Sequence, residues 1–368
     1  MPMVFISFAL PLRAEDLGAS AFEIGILFSI YTASVFILRP IVGVALDRYG
    51  RKPFFIAALI LYFCINILYS LAGGLEGLFI ARLLHGIGFA FLSITTDTIT
   101  ADLTEQQDRA ASMGGNIESQ SRGGMVGAII GFTLVGAIPV HAWVYSFTSF
   151  AVFAFLAIIF ALIAIPETNP AKHVEHEKVP LIITPTLRRL LIVVTFVAFS
   201  GALTQPYFFI YLRDRFDLEL GALAFAFLPL GLAYAILPSK LGKWTSNLPR
   251  ATATSIGLGI GGCLYFLVPH APNLIMVVLV LTSSAAGVML AELTKNAWVA
   301  DIAHKHAVGR AYGVAALCAG IGGTIAPIFG GIIYDRLGQE YLFYSNGILL
   351  LIATAIAFFF VEAGKNTQ

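Results

Sequence analysis

One polar stretch, Gly43-Val-Ala-Leu-Asp47-Arg48-Tyr49-Gly50-Arg51-Lys52-Pro53, separates two long apolar segments of the chain. We expect Gly43 to let a neighbouring backbone come close, Gly50 to allow a tight turn, and Pro53 to suit the first turn of a helix. The charged residues of the stretch are expected to face water and lipid headgroups. The stretch therefore indicates two membrane-spanning helices joined by a short basic loop.

The composition extends this interpretation to the whole chain. Of the 368 residues, 58% are hydrophobic and 12% are charged, about half the charged fraction of a soluble domain. The net charge of +1 provides no basic field for a polyanion, so nucleic acid is not an expected partner. The lipid bilayer is the expected surroundings, and the same composition excludes a disordered chain.

The apolar segments are long enough to cross a membrane as helices. A bilayer core about 30 Å thick needs about 20 apolar residues per helix. Eleven full spans are predicted, at residues 22–45, 53–72, 76–100, 110–138, 144–165, 189–212, 220–239, 251–269, 274–299, 309–334 and 341–362. A short segment, 1–12, would be the first of twelve, and the alternating pattern of a β-barrel is absent. The sequence predicts an all-α membrane protein.

The first segment is too short for a full span. Twelve residues rise only about 18 Å, against a core of about 30 Å. We therefore expect a truncated first helix, either because the true start lies upstream of Met1 or because a short helix packs against the bundle. The DNA upstream of Met1 distinguishes the two.

The chain contains an internal repeat. A polar linker at residues 166–188 separates residues 1–165 from residues 189–368. At an offset of 199, several residues recur: Arg51 as Arg250, Asp102 as Asp301, Gly123-Gly124 as Gly322-Gly323, and Gly131 as Gly330. The repeat predicts two pseudo-symmetric bundles of six helices.

The loop charges predict the orientation of the helices. If the first segment is a span, fourteen Lys and Arg residues fall in the loops and terminus on one side and four on the other. Because cytoplasmic loops are rich in Lys and Arg, both termini are predicted to lie in the cytoplasm.

The stretch from Gly43 to Pro53 resembles the pattern GxLaDRxGRKP between helices 2 and 3 of the major facilitator superfamily. The resemblance extends over the whole chain and implies two six-helix bundles that work by alternating access around a central cavity. It implies a gating motif, whose members here are Gly43, Asp47, Arg48, Gly50, Arg51 and Lys52. In that family the Asp is thought to hold the halves together by contacting a helix N-terminus, a contact that the helix dipole favours. Ser246 stands at the Asp position of the second-half copy.

The segment Ile80-Ala-Arg82-Leu-Leu-His85-Gly86-Ile-Gly88 is similar to the RxxxGxG pattern of helix 4 in that family. The resemblance links Arg82 to proton movement. A guanidinium inside a span is costly unless it faces a partner or water, so Arg82 is expected to point into a cavity. The alternative is an arginine that snorkels to the interface or pairs helices.

Glu118 and Arg122 are spaced for an i,i+4 ion pair on helix 5. They lie about 12 and 18 Å from the start of the predicted span, close to mid-membrane. Ionisable groups at that depth are functional candidates, and a partly buried Glu118 is the predicted proton carrier. A structural ion pair is the alternative. The glycines that follow resemble the antiporter signature GxxxGPxxGG, with Ala128 in place of Pro.

Further candidates lie on other spans. Asp97 and Glu292 are the next proton-coupling candidates, and Asp97 lies at a depth where it can pair with Arg39. The substrate-cavity candidates are Gln205, Tyr207 and Lys295. For Lys295 a self-satisfied pair with Glu292 is the alternative, and for tyrosines of helix 7 it is an interfacial position.

These features predict secondary active transport of a small molecule, most similar to proton-driven efflux of amphipathic compounds. Proton-coupled uptake is the alternative, and a transport-inactive sensor or scaffold is a second one. Neither an enzyme nor a cofactor is expected, because no nucleophile–base pair and no metal-ligand spacing stands out. The expected partners are the small-molecule substrate and protons, and a monomer in the cytoplasmic membrane is expected.

The gating role of Asp47 is testable. If its carboxylate holds the halves together on the cytoplasmic side, Asp47→Asn should reduce transport and shift the resting population toward the inward-open state, with membrane insertion unchanged. Spectroscopic distances between labelled halves measure the shift. Normal transport with an unchanged distance distribution would rule the role out.

Overall fold

The computed structural model describes residues 2–104, 109–168, 183–218, 233, 237, 240–241, 248–302 and 308–361. In these residues the regular structure is helical. The predicted span at 220–239 lies largely outside the described residues.

The chain divides into two compact units, Met1–Ala19 with Ile26–His176, and Ser20–Gly25 with Glu177–Gln368. The first half of the chain forms α1 (Pro2–Asp16), α2 (Ala21–Tyr49), α3 (Lys52–Leu71), α4 (Leu75–Leu103), α5 (Arg109–Ala137) and α6 (Ala142–Ala164). The second half forms α7 (Pro185–Thr204), α8 (Phe208–Phe216), α9 (Arg250–Tyr265), α10 (Leu274–Ile302), α11 (Val308–Leu337) and α12 (Gln339–Ala355), which continues into a π-helical turn, Ile356–Val361. The first turn of α2 groups with the second unit.

Nine helical segments of the described residues are long and apolar enough to cross a membrane. They correspond to predicted spans. The helix α5 is not among the nine although it has 29 residues, because its first half is too polar. The helix α1 ends at Asp16 rather than at residue 12.

The predicted span 189–212 is confirmed as part of the longer span Pro185–Phe216, with two differences in its helix. Its helix begins four residues earlier, at Pro185, because the Thr184 hydroxyl caps the first turn by accepting a 3.2 Å hydrogen bond from the Leu187 amide. The span is also broken between Thr204 and Phe208. Pro206 lies in this break and has no N–H to continue the helical hydrogen bonds.

The repeat has a structural counterpart in an ion pair of each unit. The Arg51 Nε lies 3.0 Å from Asp102 Oδ2, which joins the start of α3 to the end of α4. The Arg250 Nε lies 2.9 Å from Asp301 Oδ2, which joins α9 to α10 in the same way. The repeated Arg and Asp positions therefore hold equivalent helix pairs together.

The repeated glycines also perform equivalent tasks. A Cβ at Gly131 of α5 would lie 2.3 Å from the Phe5 ring of α1. A Cβ at Gly330 of α11 would lie 2.3 Å from the Leu203 carbonyl oxygen of α7. Glycine at these positions therefore permits the close packing of α5 on α1 and of α11 on α7.

The two ion pairs differ in exposure, and this difference predicts unequal stabilities. The side chain of Arg51 is 7% exposed, whereas that of Arg250 is 34% exposed. Removing one partner of a buried pair costs about 3 kcal/mol or more, and of an exposed pair about 1 kcal/mol or less. Asp102→Asn should therefore lower the melting temperature of the detergent-solubilised protein clearly more than its repeat counterpart Asp301→Asn. Tryptophan fluorescence during heating measures both, and equal shifts would contradict the prediction.

Candidate functional site

The exposed surface of the first unit contains both apolar and polar regions. In α6 only 22% of the most apolar 18-residue stretch is buried, and the exposed side chains there are large and apolar. Examples are Val152, Phe155, Leu156, Ile159 and Phe160. Such a surface is suited to lipid.

The first half of α5 is exposed as well, but its exposed side chains are polar. They belong to five consecutive residues, Glu118, Ser119, Gln120, Ser121 and Arg122. The helix packs on α1 and α6 and is long enough to span a membrane. Because lipid does not solvate charges, this turn of the helix requires water or polar partners.

The predicted Glu118–Arg122 pair forms, with Arg122 Nη2 lying 2.5 Å from Glu118 Oε1. The side chains are 63% and 74% exposed, respectively. The expectation that Glu118 is partly buried was therefore wrong, because a full turn of α5, residues 118–122, is exposed. The carboxylate and the guanidinium of this pair are therefore both accessible from outside the unit.

Asp97 and Arg39 line one groove of the first unit, with a volume of about 420 Å³. The other lining residues are Ser93, Ile94, Thr98 and Ala101. Asn116 of α5 reaches the rim, where its amide donates a 3.4 Å hydrogen bond to Asp97 and a 2.9 Å hydrogen bond to Thr100. The ion pairs of the described residues do not include the expected Arg39–Asp97 pair.

Arg82 is buried within the first unit, with 3% of its surface exposed. Its guanidinium lies over the rings of Phe28 and Tyr31, 4.8 and 4.3 Å from their centres. Its Nε and Nη1 atoms have no hydrogen-bond partner among the described residues. The expectation that Arg82 faces a cavity was wrong in this structure, because α2 covers its side chain. Two cation–π contacts contribute about 1–4 kcal/mol in total and offset part of the cost of burying the charge.

His85, one turn from Arg82, is fully buried among aromatic rings. Tyr31, Tyr62 and Tyr69 pack edge-on to its imidazole at 5.2 to 6.0 Å between ring centres. Arg82 and His85 thus belong to a polar–aromatic core beneath the exposed surface.

The gating motif has a well-defined loop. Gly50 has φ +93°, which confirms the tight turn, and Pro53 lies in the first turn of α3. The carboxylate of Glu167 accepts hydrogen bonds of 2.8 and 3.2 Å from the amides of Arg51 and Lys52, at the start of α3. The Asp47 side chain lies outside the described residues.

Two other members of the motif are described. The guanidinium of Arg48 lies 5.2 Å from the ring centre of Tyr49. The expectation that Gly43 admits a close backbone was wrong among the described residues, because a Cβ there would meet nothing within 4 Å.

In the second unit, Lys295 Nζ lies 2.7 Å from Glu292 Oε1, so these side chains form the self-satisfied ion pair. The side chain of Lys295 is 7% exposed and that of Glu292 is 41% exposed, so only the carboxylate is accessible. Gln205 is exposed at the break between α7 and α8. Tyr207 is fully buried and donates hydrogen bonds to the carbonyls of Ala21 and Pro327, so its hydroxyl is occupied in this structure.

The sequence interpretation missed Asp335, at the end of α11. Its two carboxylate oxygens accept hydrogen bonds from the amides of Ala21 and Phe22, at 3.2 and 2.9 Å. Ser20 and Glu23 form a capping box in the same turn. The free amides of the first turn of α2 are thereby satisfied.

A sequence signal for Asp335 existed. The stretch Gly331-Ile-Ile-Tyr-Asp335-Arg336-Leu-Gly338 repeats the GxxxDRxG spacing of Gly43 to Gly50. Gly338 has φ +105°, like the positive φ of Gly50. A Cβ at Gly331 would lie 2.5 Å from the Ala21 carbonyl oxygen. This further occurrence of the spacing therefore shows a carboxylate of the motif at a helix N-terminus.

The described residues contain no group of three His, Cys, Asp or Glu side chains that could hold a metal ion.

Comparison with known proteins gives one family. The model described as Major Facilitator Superfamily matches residues 1–294 and 293–368. Multidrug resistance protein 1 of Bacillus subtilis (strain 168) is 24% identical over 355 residues, which cover 94% of this chain and 89% of that protein. The human chromaffin granule amine transporter is 23% identical over 349 residues, which cover 92% of this chain and 65% of that protein.

The fold is also similar to a solved structure. A bacterial homologue of the human lysosomal transporter Spinster, in an inward-facing and unoccupied conformation, matches with a TM-score of 0.79. The match has 18% sequence identity and covers 99% of this chain and 94% of that one. At this identity the likeness concerns the fold alone.

The contact of Asp335 predicts a local change in hydrogen exchange. In Asp335→Asn only one side-chain oxygen remains to accept, and loss of a helix cap costs about 1 kcal/mol. The amides of Ala21 and Phe22 should therefore exchange with deuterium about fivefold faster. Asp217→Asn, an exposed change in the same unit, is the matched control. Unchanged exchange at residues 20–25 would contradict the assignment.

Proposed function

Because the chain belongs to the Major Facilitator Superfamily, we propose that it is a secondary active transporter that exports small amphipathic molecules in exchange for protons. The proposal places it as a monomer in the cytoplasmic membrane, with both termini in the cytoplasm.

The observation that carries the proposal is the polar exposed segment of α5. Five consecutive exposed polar residues, with an ion pair among them, lie on a helix that packs within a membrane-spanning unit. Such a segment needs water or polar partners around it, and a water-filled path supplies them. A path of this kind is what a transporter requires and what a purely structural scaffold does not.

Glu118 is the proposed proton carrier. Its carboxylate is exposed, and its charged form is held by one guanidinium, that of Arg122. Protonation removes the charge that Arg122 binds, so proton uptake and breakage of this ion pair are linked. A conformational change that breaks the pair is therefore linked to proton uptake, which is the reciprocity that coupling requires. Asp97, Glu292 and Arg82 are the further proton-coupling candidates.

The proposed direction and substrate class rest on the motifs and on the similar proteins. The motifs resemble the efflux branch, and the similar proteins include one named for multidrug resistance and one named for amine transport. Asp47 is proposed to act as a gate, because Asp335, in a further occurrence of the same GxxxDRxG spacing, binds a helix N-terminus. Gln205, Tyr207 and Lys295 remain proposed cavity residues, of which Gln205 is exposed.

A vesicle assay tests the proposed coupling. In everted membrane vesicles energised with an acid interior, the protein should accumulate ethidium, an amphipathic cation, and release protons as it does so. Glu118→Gln should reduce this accumulation more than tenfold, because the carrier no longer changes charge, while downhill ethidium exchange persists. Glu76→Gln, an exposed acid in the first turn of α4, should behave like the native protein.

Two outcomes would count against the proposal. Concentrative accumulation by Glu118→Gln would move the coupling role elsewhere, with Asp97 or Glu292 next in order. If whole cells instead accumulate the substrate when an outside-acid proton gradient is applied, and show no efflux, uptake by symport is established.

A further inference from the structure

We propose that the groove between Arg39 and Asp97 is a binding subsite for a zwitterionic group, in which one ammonium and one carboxylate lie close together. The inference rests on the proposed transport function and assigns Asp97 a role in substrate binding rather than in proton coupling.

The lining of the groove offers the groups that a small-molecule subsite needs. The groove is shallow and open to its surroundings, with a volume of about 420 Å³. Arg39 of α2 and Asp97 of α4 supply opposite charges, and Ser93 and Thr98 add hydroxyl groups. Ile94 and Ala101 give apolar surface between them. The lining therefore suits a ligand with a charged head and an apolar body.

Both charges are available to a ligand. Arg39 and Asp97 are exposed, and the ion pairs among described residues include neither. The hydrogen bond to Asp97 from Asn116 is long, at 3.4 Å. Both residues lie on helices that qualify as membrane spans, a few residues before the predicted spans end, where water can reach them.

The pairing of opposite charges selects a ligand with both. A cation would satisfy Asp97 and leave Arg39 without a partner, and an anion would do the reverse. A zwitterion satisfies both groups through charge-assisted hydrogen bonds, which are about twice as strong as neutral ones. The planar guanidinium of Arg39 fits a carboxylate with two parallel hydrogen bonds, and Asp97 accepts from an ammonium.

Equilibrium binding to the purified full chain in lipid nanodiscs tests the subsite. Four probes share one phenyl ring: phenylalanine is zwitterionic, phenethylamine is cationic, 3-phenylpropionate is anionic and 3-phenylpropanamide is neutral. Phenylalanine should bind at least tenfold more tightly than each of the other three, because only it pairs with both groups.

Neutralising one of the two charged side chains should change the order of the probe affinities. Arg39→Gln should favour phenethylamine over phenylalanine, and Asp97→Asn should favour 3-phenylpropionate. The double exchange Arg39→Asp with Asp97→Arg should restore the preference for phenylalanine. Arg188→Gln, an exposed arginine on α7, is the control and should leave the native order unchanged.

The same order of affinities in the native protein and in both single variants would overturn the subsite, as would no binding of any probe at millimolar concentration.

Nanodisc binding needs no proton gradient, so the two proposals fail separately. Charge-dependent binding without proton-driven transport would contradict only the proposed function. Proton-driven ethidium transport with charge-independent probe binding would contradict only the subsite.

Discussion

Lipid cannot solvate charges or free backbone groups, and the rest of this structure depends on that constraint. The chain meets it by forming long helices, whose backbone hydrogen bonds are internal. Charged side chains are then restricted to few environments. The Arg51–Asp102 pair lies at helix ends, Arg82 is enclosed in protein, and the Glu118–Arg122 pair is exposed on a helix that is too polar for lipid.

The same constraint explains the architecture of each unit. Hydrophobic attraction between helices is weak in lipid, so close packing and polar contacts hold them together. Gly131 and Gly330 permit close packing of equivalent helix pairs, and the Arg–Asp pairs join the ends of others. At the start of α2, Asp335 satisfies backbone amides that the helix itself cannot satisfy. Small residues and end-capping carboxylates thus recur at the positions where helices meet.

Hydropathy predicted most helices, because a span long enough for the bilayer leaves a clear apolar signal. It could not predict the break near Pro206, since one proline alters the backbone without changing the average composition. The expected surroundings of Arg82 and Glu118 were also wrong. Which side of a helix is covered depends on neighbouring helices, and one sequence does not show those contacts.

The i,i+4 pairing of Glu118 with Arg122 was predictable, because it depends only on local helical geometry. Asp335 was overlooked although its motif repeats that of Asp47, because its partner amides lie more than 300 residues away.

The central claim is that the first unit exposes one face to water and another to lipid. Labelling of single cysteines by a membrane-impermeant thiol reagent tests it most directly, after Cys64, Cys263 and Cys318 are replaced by Ala. Cysteines at Ser119 and Gln120 of α5 should react, whereas cysteines at Phe155 and Ile159 of α6 should not, although all four positions are exposed. Equal protection of the four positions in intact membranes would contradict the account, because the polar turn of α5 would then not be in contact with water.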